Sequence, residues 1–207
     1  MDLLNEGLEK LKLTATAEKR ERLDIFKSEI ELFNPTYKLV GYEEEDDLII
    51  RHFLDCLAGV PLIERELGDG CLADLGSGAG FPGIILAIML DKNEVVLIER
   101  MKRRVDFLRN VILRCKLTNV RIIDRDVKEV NEHFDVVTCR AFHPIYDIIK
   151  DVDRIMKKDG AFMAYKGQRS YVEAELSDLV GYTRRFDEIK VPFLDEPRMI
   201  CTLKREK

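Results

Sequence analysis

The stretch from Cys71 to Gly83 constrains the fold more than any other part of this 207-residue chain. It reads Cys-Leu-Ala-Asp-Leu-Gly-Ser-Gly-Ala-Gly-Phe-Pro-Gly, so an apolar run ends in a carboxylate and three glycines follow at alternate positions. Glycine is needed where φ is positive or where a ligand contacts bare backbone, and Pro82 suits the first turn of a helix. The pattern predicts a strand, a tight loop and a helix, the turn that nucleotide-type cofactors use in doubly wound α/β folds.

After this loop, short apolar runs alternate with longer amphipathic segments. We expect strands at 94–99, 120–123, 134–138 and 160–165, and helices at 101–116, 145–156 and 171–179. This alternation predicts a mostly parallel sheet with helices on both faces. The last two strand-like runs, 186–191 and 199–203, have few residues between them and predict an antiparallel pair.

The chain before residue 62 has a helical pattern. Leu23, Phe26, Ile30 and Phe33 recur at three- and four-residue spacing and mark one apolar face. Asn34-Pro35 is expected to end this helix, and a second helix is expected from the acidic run at 43–47 to Pro61. We therefore expect a helical N-terminal extension over residues 1–66, packed on a core domain over residues 67–207.

Composition limits the possible locations and partners. The five cysteines are scattered and form no C-x-x-C, and none of the three histidines lies beside a cysteine at metal-ligand spacing. We expect reduced thiols, no metal and a cytoplasmic, monomeric protein. No apolar run approaches the ~20 residues of a membrane span, so we expect no membrane association. The formal charge of −5 argues against a protein that is basic overall.

Two cofactor classes fit the glycine loop. Gly78 to Gly83 spells the dinucleotide pattern G-x-G-x-x-G, which is weak alone, whereas Asp74-Leu-Gly76-Ser77-Gly78-Ala-Gly80 has the form favoured by S-adenosylmethionine sites. Pro82 removes one N–H from the helix start, and Asp74 places a carboxylate below the loop. Both features disfavour a pyrophosphate and suit a sulfonium and an ammonium. Glu99, at the end of the second strand, is expected to bind the ribose hydroxyls. A structural turn without ligand stays the alternative.

Further candidates follow the later strands. Val127 and Lys128 lie after the third strand, where their N–H groups would reach an adenine edge, although Asp126 there is equally a helix cap. Arg140 and Lys166 follow the fourth and fifth strands, and ligands of open α/β sheets lie beyond these strand ends. A surface position is the alternative for Arg140. Arg51 and His52 are expected to approach from the extension.

With these residues in view, the sequence resembles the bacterial small-subunit ribosomal RNA guanine-N7 methyltransferases, the glucose-inhibited division protein B family. The matching stretches are Arg51-His-Phe-Leu-Asp55, Asp74 to Gly83 with its Gly-Phe-Pro-Gly ending, Lys102-Arg-Arg-Val-Asp-Phe-Leu-Arg109, Arg140-Ala-Phe142 and Ala164-Tyr-Lys-Gly-Gln168. The chain departs from the family pattern at Glu99, where aspartate is usual, at Lys128, where an acidic residue is usual, and at His143-Pro144, where small residues are usual.

The resemblance implies a Rossmann-like class I S-adenosylmethionine-dependent methyltransferase fold with a seven-stranded sheet and a helical N-terminal cap. It implies cofactor contacts at Gly76, Gly78, Phe81, the Val127-Lys128 pair and Arg140. To these the residue-level reasoning adds Asp74, Ser77, Gly80 and Glu99.

The resemblance also supplies the reaction, methyl transfer to N7 of a guanosine in small-subunit ribosomal RNA, with a ribosomal particle as the expected substrate. Guanine N7 has a lone pair and no proton, so we expect Arg140 and Lys166 to act by positioning, without a general base. The expected RNA contacts are Arg51, His52, Lys102, Arg103, Arg104 and Arg109, although a basic run is also a common solvated helix face. The alternatives are a small-molecule methyltransferase with the N-terminal helices as a lid and, more remotely, a dinucleotide-dependent reductase.

Overall fold

Seven strands form one sheet in a computed structural model that describes residues 2–206. The strands are β1 (Leu72–Leu75), β2 (Val95–Ile98), β3 (Val120–Ile123), β4 (Phe134–Arg140), β5 (Met156–Lys166), β6 (Tyr182–Ile189) and β7 (Arg198–Arg205). Their order across the sheet is β3-β2-β1-β4-β5-β7-β6. The first five pair in parallel, and β7 is antiparallel to both β5 and β6. The predicted mostly parallel, seven-stranded sheet with an antiparallel C-terminal strand is confirmed.

The central strands are buried on both faces of the sheet. Every residue of β1 and β2 is buried, as is expected where helices cover both sides of a parallel sheet. Alternate side chains enter different cores, because successive Cβ atoms point to opposite faces. Leu72 and Val95 pack into one hydrophobic cluster, and Ala73 and Val96 pack into the other.

Helices cover the two faces unequally. The core helices are α5 (Gly83–Met89), α6 (Lys102–Arg114), α7 (Ile145–Ile155) and α8 (Arg169–Glu175). The first two pack in the larger cluster, together with the N-terminal extension, and the last two contribute to the smaller cluster. On this face, α5 and α6 therefore pack beside helices of the N-terminal extension, one of which also contacts the sheet directly.

The extension is helical throughout most of its length. It comprises α1 (Leu3–Lys10), α2 (Ala17–Tyr37), α3 (Glu45–Leu48), a π-helical segment (Ile49–Leu54) and α4 (Asp55–Leu67). Its apolar side chains join the same cluster as β1, β2 and α5. The extension therefore shares one core with the sheet, and the domain boundary at residue 66 stays a prediction.

Two helix ends predicted from proline were wrong. Helix α2 passes Asn34 and Pro35 and ends at Tyr37, where Asn34 Oδ1 accepts from the N–H groups of Leu39 and Val40 at 2.7 and 3.0 Å. Helix α4 likewise passes Pro61 and ends at Leu67. A proline removes one helical hydrogen bond, and in both helices the burial of apolar residues outweighs that loss.

Three phenylalanine rings join the extension to the glycine loop. Phe26 of α2, Phe53 of the π-helical segment and Phe81 of the loop have ring centroids 5.0 to 5.2 Å apart. Phe26 and Phe53 are fully buried, and Phe81 is 5% exposed. Contacts of this kind add to the free energy gained from burial alone, so the extension supports the loop directly.

We expect Phe26→Ala to lower the free energy of unfolding by about 3 to 5 kcal/mol, because it leaves a cavity among buried rings. Urea titration followed by circular dichroism measures this change. Leu32→Ala on the same helix, where the side chain is 69% exposed, is the matched control and should change stability by less than about 0.5 kcal/mol. An unchanged midpoint for Phe26→Ala would contradict the shared core.

Candidate active site

A cleft of about 750 Å³ opens beyond the carboxyl ends of β1, β2 and β4. Its walls come from the strand ends, from the turns that follow β1 to β4, and from side chains of α6 and α7: Leu75, Gly76, Ile98, Glu99, Arg100, Met101, Arg104, Arg125, Asp126, Val127, Lys128, Ala141, Phe142, His143, Asp147, Ile148 and Asp151. We call this space the first cleft. Its position is the one at which ligands bind in open α/β sheets, and its volume suits a ligand of nucleoside size.

Glu99 holds the glycine loop from the end of β2. Its Oε2 accepts from the N–H of Gly78 at 2.9 Å, and its Oε1 accepts from the N–H of Met101 at 2.8 Å. Gly78 has φ +58°, a conformation that favours glycine. The carboxylate is 4% exposed and lines the first cleft. Because each carboxylate oxygen has two acceptor sites, Glu99 retains acceptor capacity for the hydroxyl groups of a ligand.

Gly76 is required by a close approach of Phe142. Gly76 has φ +68°, and a Cβ atom at this position would overlap the Phe142 ring. Ala141, just before Phe142, also has a positive φ of +50°, which is uncommon for a residue with a side chain. Such strain at the edge of a cleft is a frequent feature of functional segments.

Asp74 lies beneath the loop, outside the first cleft. It is fully buried, and its Oδ2 accepts from the N–H of Gly83 at 3.0 Å, so it caps the start of α5. Ser77 Oγ donates to the Asp74 carbonyl at 3.0 Å, and Gly80 N–H donates to the Ser77 carbonyl at 2.7 Å. Burial raises the pKa of Asp74 to about 7. These contacts give Asp74, Ser77 and Gly80 roles in the shape of the loop.

The turn after β3 contains the helix cap weighed from the sequence, and its contact with an adenine stays a prediction. Asp126 Oδ1 accepts from the N–H of Lys128 at 3.1 Å and so caps a 3-10 turn over Val127–Glu129. Val127 and Lys128 also line the first cleft. The cap therefore fixes the segment that faces the ligand space.

Arg140 lies in a buried polar network beside Phe81. Its Nη1 donates to Asp55 Oδ2 and to the Arg51 carbonyl at 3.1 and 3.0 Å, and its Nη2 lies 2.7 Å from His52 Nδ1. The guanidinium carbon is 5.3 Å from the centre of the Phe81 ring. Arg140 is therefore an interior residue, and the surface alternative is wrong.

His52 is neutral in this network. Burial and the positive charge of Arg140 lower the pKa of His52 to about 4. Its Nε2 lies 3.0 Å from the Gly41 carbonyl, so both ring nitrogens have partners. His52 thus joins the extension to Arg140 and carries no charge near pH 7.

A second cavity of about 470 Å³ adjoins this network. It is lined by Arg51, Asp55, Cys139, Arg140, Ala141, Phe142, His143, Pro144, Tyr165, Lys166, Gly167, Glu175 and Arg198. Segment 141–143 lines both spaces, so it forms the wall between the first cleft and the second cavity. Arg140 and Lys166 face the second cavity together, while the loop residue Gly76 and Glu99 face the first cleft.

Two important residues of the second cavity were missed as site residues by sequence reasoning. Asp55 is 4% exposed and lies between Arg140 of β4 and Arg198 of β7, with Arg198 Nε at 3.3 Å from Asp55 Oδ1. Burial raises the pKa of Asp55, and the two guanidinium charges oppose that rise. The available signal for Asp55 was its place in the matched stretch Arg51–Asp55. Nothing in the local sequence marks Arg198.

The basic helix α6 offers fewer free charges than its sequence indicates. Arg109 pairs with Asp106 and Asp124 at 3.2 and 3.1 Å, Arg104 lines the first cleft, and the Arg103 guanidinium lies over the Tyr37 ring at 5.4 Å. Lys102 is exposed. Exposed ion pairs contribute little to stability, but each one offsets a positive charge that RNA would otherwise meet.

Over the described residues 2–206, no group of three or more histidine, cysteine or acidic side chains could hold a metal ion. Within the same residues, no helix is both long and apolar enough to cross a membrane.

Comparison with known proteins agrees with this geometry. A family model described as rRNA small subunit methyltransferase G matches residues 19–201. The chain belongs to this family. A ribosomal RNA small subunit methyltransferase G of Borrelia hermsii is 35% identical, with 84% of each chain covered. Another, from Shewanella loihica, is 33% identical over 94% of this chain and 93% of its own.

Solved structures support the fold of the family. A mutant of MtNAS in complex with S-adenosylmethionine superposes with a TM-score of 0.61 at 16% identity, covering 90% of this chain and 72% of that one. At such identity the likeness concerns the fold alone. The predicted Rossmann-like class I S-adenosylmethionine-dependent methyltransferase fold and the predicted family are thereby confirmed.

We expect Asp74→Asn to remove a pH dependence from the stability of this family member. The folded pKa of about 7 exceeds the ordinary 3.8, so folding binds a proton. This stabilisation is complete below about pH 4 and is lost as the pH rises through 7. From pH 4 to 7.5, the stability of the unmodified chain should therefore fall relative to the variant by up to about 4 kcal/mol.

Urea unfolding at a series of pH values measures this difference, and the contribution of His52 cancels because both proteins contain it. Asp124→Asn, at an exposed carboxylate on the same side of the sheet, is the control. A difference between Asp74→Asn and the unmodified chain that does not vary with pH would contradict a raised pKa.

Proposed function

We propose that this protein transfers a methyl group from S-adenosylmethionine to N7 of a guanosine in small-subunit ribosomal RNA. The observation that carries the proposal is the first cleft, in which Glu99 and the glycine loop meet at the carboxyl ends of the strands. Membership in a family described as rRNA small subunit methyltransferase G supports the substrate.

The first cleft fits the nucleoside part of this cofactor. Glu99 would accept from the ribose hydroxyls with its remaining lone pairs, and the turn at Val127 and Lys128 would contact the adenine. Ile98 and Ile148 offer apolar surface to the ring. Phe142 covers Gly76 at the edge of this space, so it would lie against the part of the cofactor nearest the loop.

The bound cofactor supplies an electrophilic methyl group on a sulfonium, and the protein supplies position. Guanine N7 has a lone pair and no proton at neutral pH, so transfer needs no general base. Arg140 is held rigidly by Asp55 and His52, and an arginine fork suits the N7 and O6 acceptors of guanine or a cofactor carboxylate. Lys166, held by Glu175 at 2.7 Å, would help to position the acceptor from the end of β5, the strand next to β4. The expected contributions are orientation and electrostatic stabilisation.

For the substrate, we propose a small-subunit ribosomal particle bound by a monomer. RNA loops are recognised by shape as well as by base edges, and an assembled particle presents a defined shape. Lys102 is exposed and available for phosphate contacts. Arg51 is exposed but paired with Asp47 and Glu196, so it would contribute through the electrostatic field, as would Arg103, Arg104 and Arg109 of α6. Because the chain has a net charge of −5, this basic surface is local.

The small-molecule alternative requires the N-terminal helices to open as a lid. The buried contacts of Phe26 and Phe53 with Phe81 argue against this motion, because opening would expose a shared hydrophobic core. We therefore retain RNA as the proposed substrate.

We expect Glu99→Gln to weaken the binding of S-adenosylhomocysteine about tenfold to a hundredfold. Hydrogen bonds to a charged acceptor contribute about 1.5 to 3 kcal/mol, and the new amide group would oppose the N–H of Gly78 or of Met101. Isothermal titration calorimetry measures the affinity, with Asp124→Asn as the control. NAD should show no saturable binding, and tighter binding of NAD than of S-adenosylhomocysteine would reject the cofactor assignment.

We expect the purified chain to transfer labelled methyl groups to small ribosomal subunits that lack the modification. Nuclease digestion and mass spectrometry should locate the label in N7-methylguanosine. Naked RNA should react more slowly than the particle, because it lacks the assembled shape. Large ribosomal subunits and a metabolite extract serve as alternative substrates in parallel reactions. The Glu99→Gln variant tests whether methyl transfer depends on the first cleft. Label found only in metabolites would support the small-molecule alternative and reject the proposal.

A further inference from the structure

The second cavity concentrates positive charge in a chain that is acidic overall. Four cationic side chains line it, Arg51, Arg140, Lys166 and Arg198, against the carboxylates of Asp55 and Glu175. The lining has two more cationic than anionic side chains, but Asp47 and Glu196, which pair with Arg51, lie outside it, so the positive surplus is confined to the part of the cavity away from Arg51. A cavity of this composition attracts an anion, since charge complementarity concentrates ligands of opposite sign.

Most of these cations already have carboxylate partners. Lys166 Nζ donates to Glu175 at 2.7 Å, and Arg51 pairs with Asp47 and Glu196 at 3.2 and 3.0 Å. Asp55 is the carboxylate shared by the two remaining arginines, Arg140 and Arg198. One negative charge between two guanidinium groups leaves a local surplus of one positive charge.

Arg198 has N–H groups in the second cavity that no acceptor engages within the described residues. Its Nε is in an ion pair with Asp55 Oδ1 at 3.3 Å, and its Nη1 donates to the Pro197 carbonyl at 3.0 Å. Within residues 2–206, no hydrogen bond engages its Nη2, and the side chain is 24% exposed. The neighbouring Arg140 Nε is buried and has no hydrogen-bond partner in the described part of the chain, and Asp55 Oδ1 has the ion pair with Arg198 but no hydrogen bond. Buried guanidinium N–H groups normally have acceptors, so Arg140 Nε lacks one.

An oxyanion would supply the missing acceptors and balance the charge. Arginine is suited to phosphate because its planar fork presents parallel N–H donors. The Asp55 carboxylate fixes Arg198 in one orientation, which lowers the entropy lost when an anion binds. Asp55 is the first residue of α4, directly after the π-helical segment 49–54, and π-helical turns are frequent at functional sites.

We propose that Arg198 binds a phosphate of the RNA substrate in the second cavity and that Asp55 is the positioning residue that holds it there. This inference rests on the proposed function. Arg198 lines the second cavity but not the first cleft, so its partner is assigned to the RNA. The other anion that could reach this cavity is the carboxylate of the cofactor, and the test separates the two.

The first measurement is the salt dependence of RNA binding by Arg198→Gln. Loss of one phosphate contact to single-stranded RNA should reduce the slope of log K against log salt concentration by about 0.7. The KM for RNA should rise about tenfold, with kcat and the affinity for S-adenosylhomocysteine unchanged. Arg198→Lys, which keeps the charge, should retain the slope.

Arg185→Gln is the matched control. Arg185 lies on β6, the strand next to β7, and pairs with Asp187 and Glu66. Its replacement removes the same charge outside the second cavity and should leave the slope and the KM for RNA unchanged. Circular dichroism melting shows whether each variant is folded.

Asp55 is tested by a double-mutant cycle, because a merely structural effect would persist when Arg198 is absent. Asp55→Asn should raise the KM for RNA in the unmodified background and have a much smaller effect in the Arg198→Gln background. Asp55→Glu, which restores the charge, should recover part of the loss. Equal effects of Asp55→Asn in the two backgrounds would overturn its positioning role.

Two results would overturn the phosphate assignment. One is an unchanged slope and KM for Arg198→Gln in a protein that methylates the RNA normally. The other is weaker binding of S-adenosylhomocysteine with unchanged binding of 5′-methylthioadenosine, which lacks the amino-acid tail and would identify the cofactor carboxylate as the anion. Failure of the unmodified chain to methylate small-subunit RNA would instead reject the proposed function, and this inference with it.

Discussion

The hydrogen bonds from backbone N–H groups to two buried carboxylates hold the glycine loop on which the candidate site depends. Glu99 accepts from Gly78 and Met101, and Asp74 accepts from Gly83. The loop needs such support because its glycines adopt positive φ angles and lose much conformational freedom on folding. The acceptors come from the ends of adjacent parallel strands, so the register of β1 and β2 sets the shape of the first cleft.

The N-terminal extension completes the site from the opposite side. Its rings pack against Phe81, and its polar residues His52 and Asp55 hold Arg140. The first cleft is lined by strand ends, by the turns after them and by the core helices α6 and α7, whereas the second cavity also has Arg51 and Asp55 from the extension. The two spaces therefore differ in origin: the sheet and its core helices form the first cleft, and the extension contributes side chains to the second cavity.

Segment 141–143 separates the first cleft from the second cavity and lines both. Phe142 packs on Gly76, and Ala141 has a strained backbone conformation. In the proposed function, a cofactor in the first cleft would have to reach an acceptor in the second cavity, and this segment lies between the two spaces. The segment follows β4 directly, so Arg140, the last residue of that strand, lines the second cavity next to this wall, and Asp55 of the extension balances its charge.

The sequence by itself determined the strand-loop-helix at 71–83, the order of strands and helices, the antiparallel end of the sheet and the carboxylate at Glu99. These features depend on local patterns: glycine spacing, apolar periodicity and charge at strand ends. The tertiary structure alone decided that α2 and α4 continue through Pro35 and Pro61, because burial outweighs one lost hydrogen bond. It also decided that Arg109 is paired, that His52 is neutral, and that Asp55 lies between Arg140 and Arg198. Arg140 and Arg198 are 85 and 143 residues from Asp55 in sequence, and only the folding of the extension over the sheet edge brings their charges together.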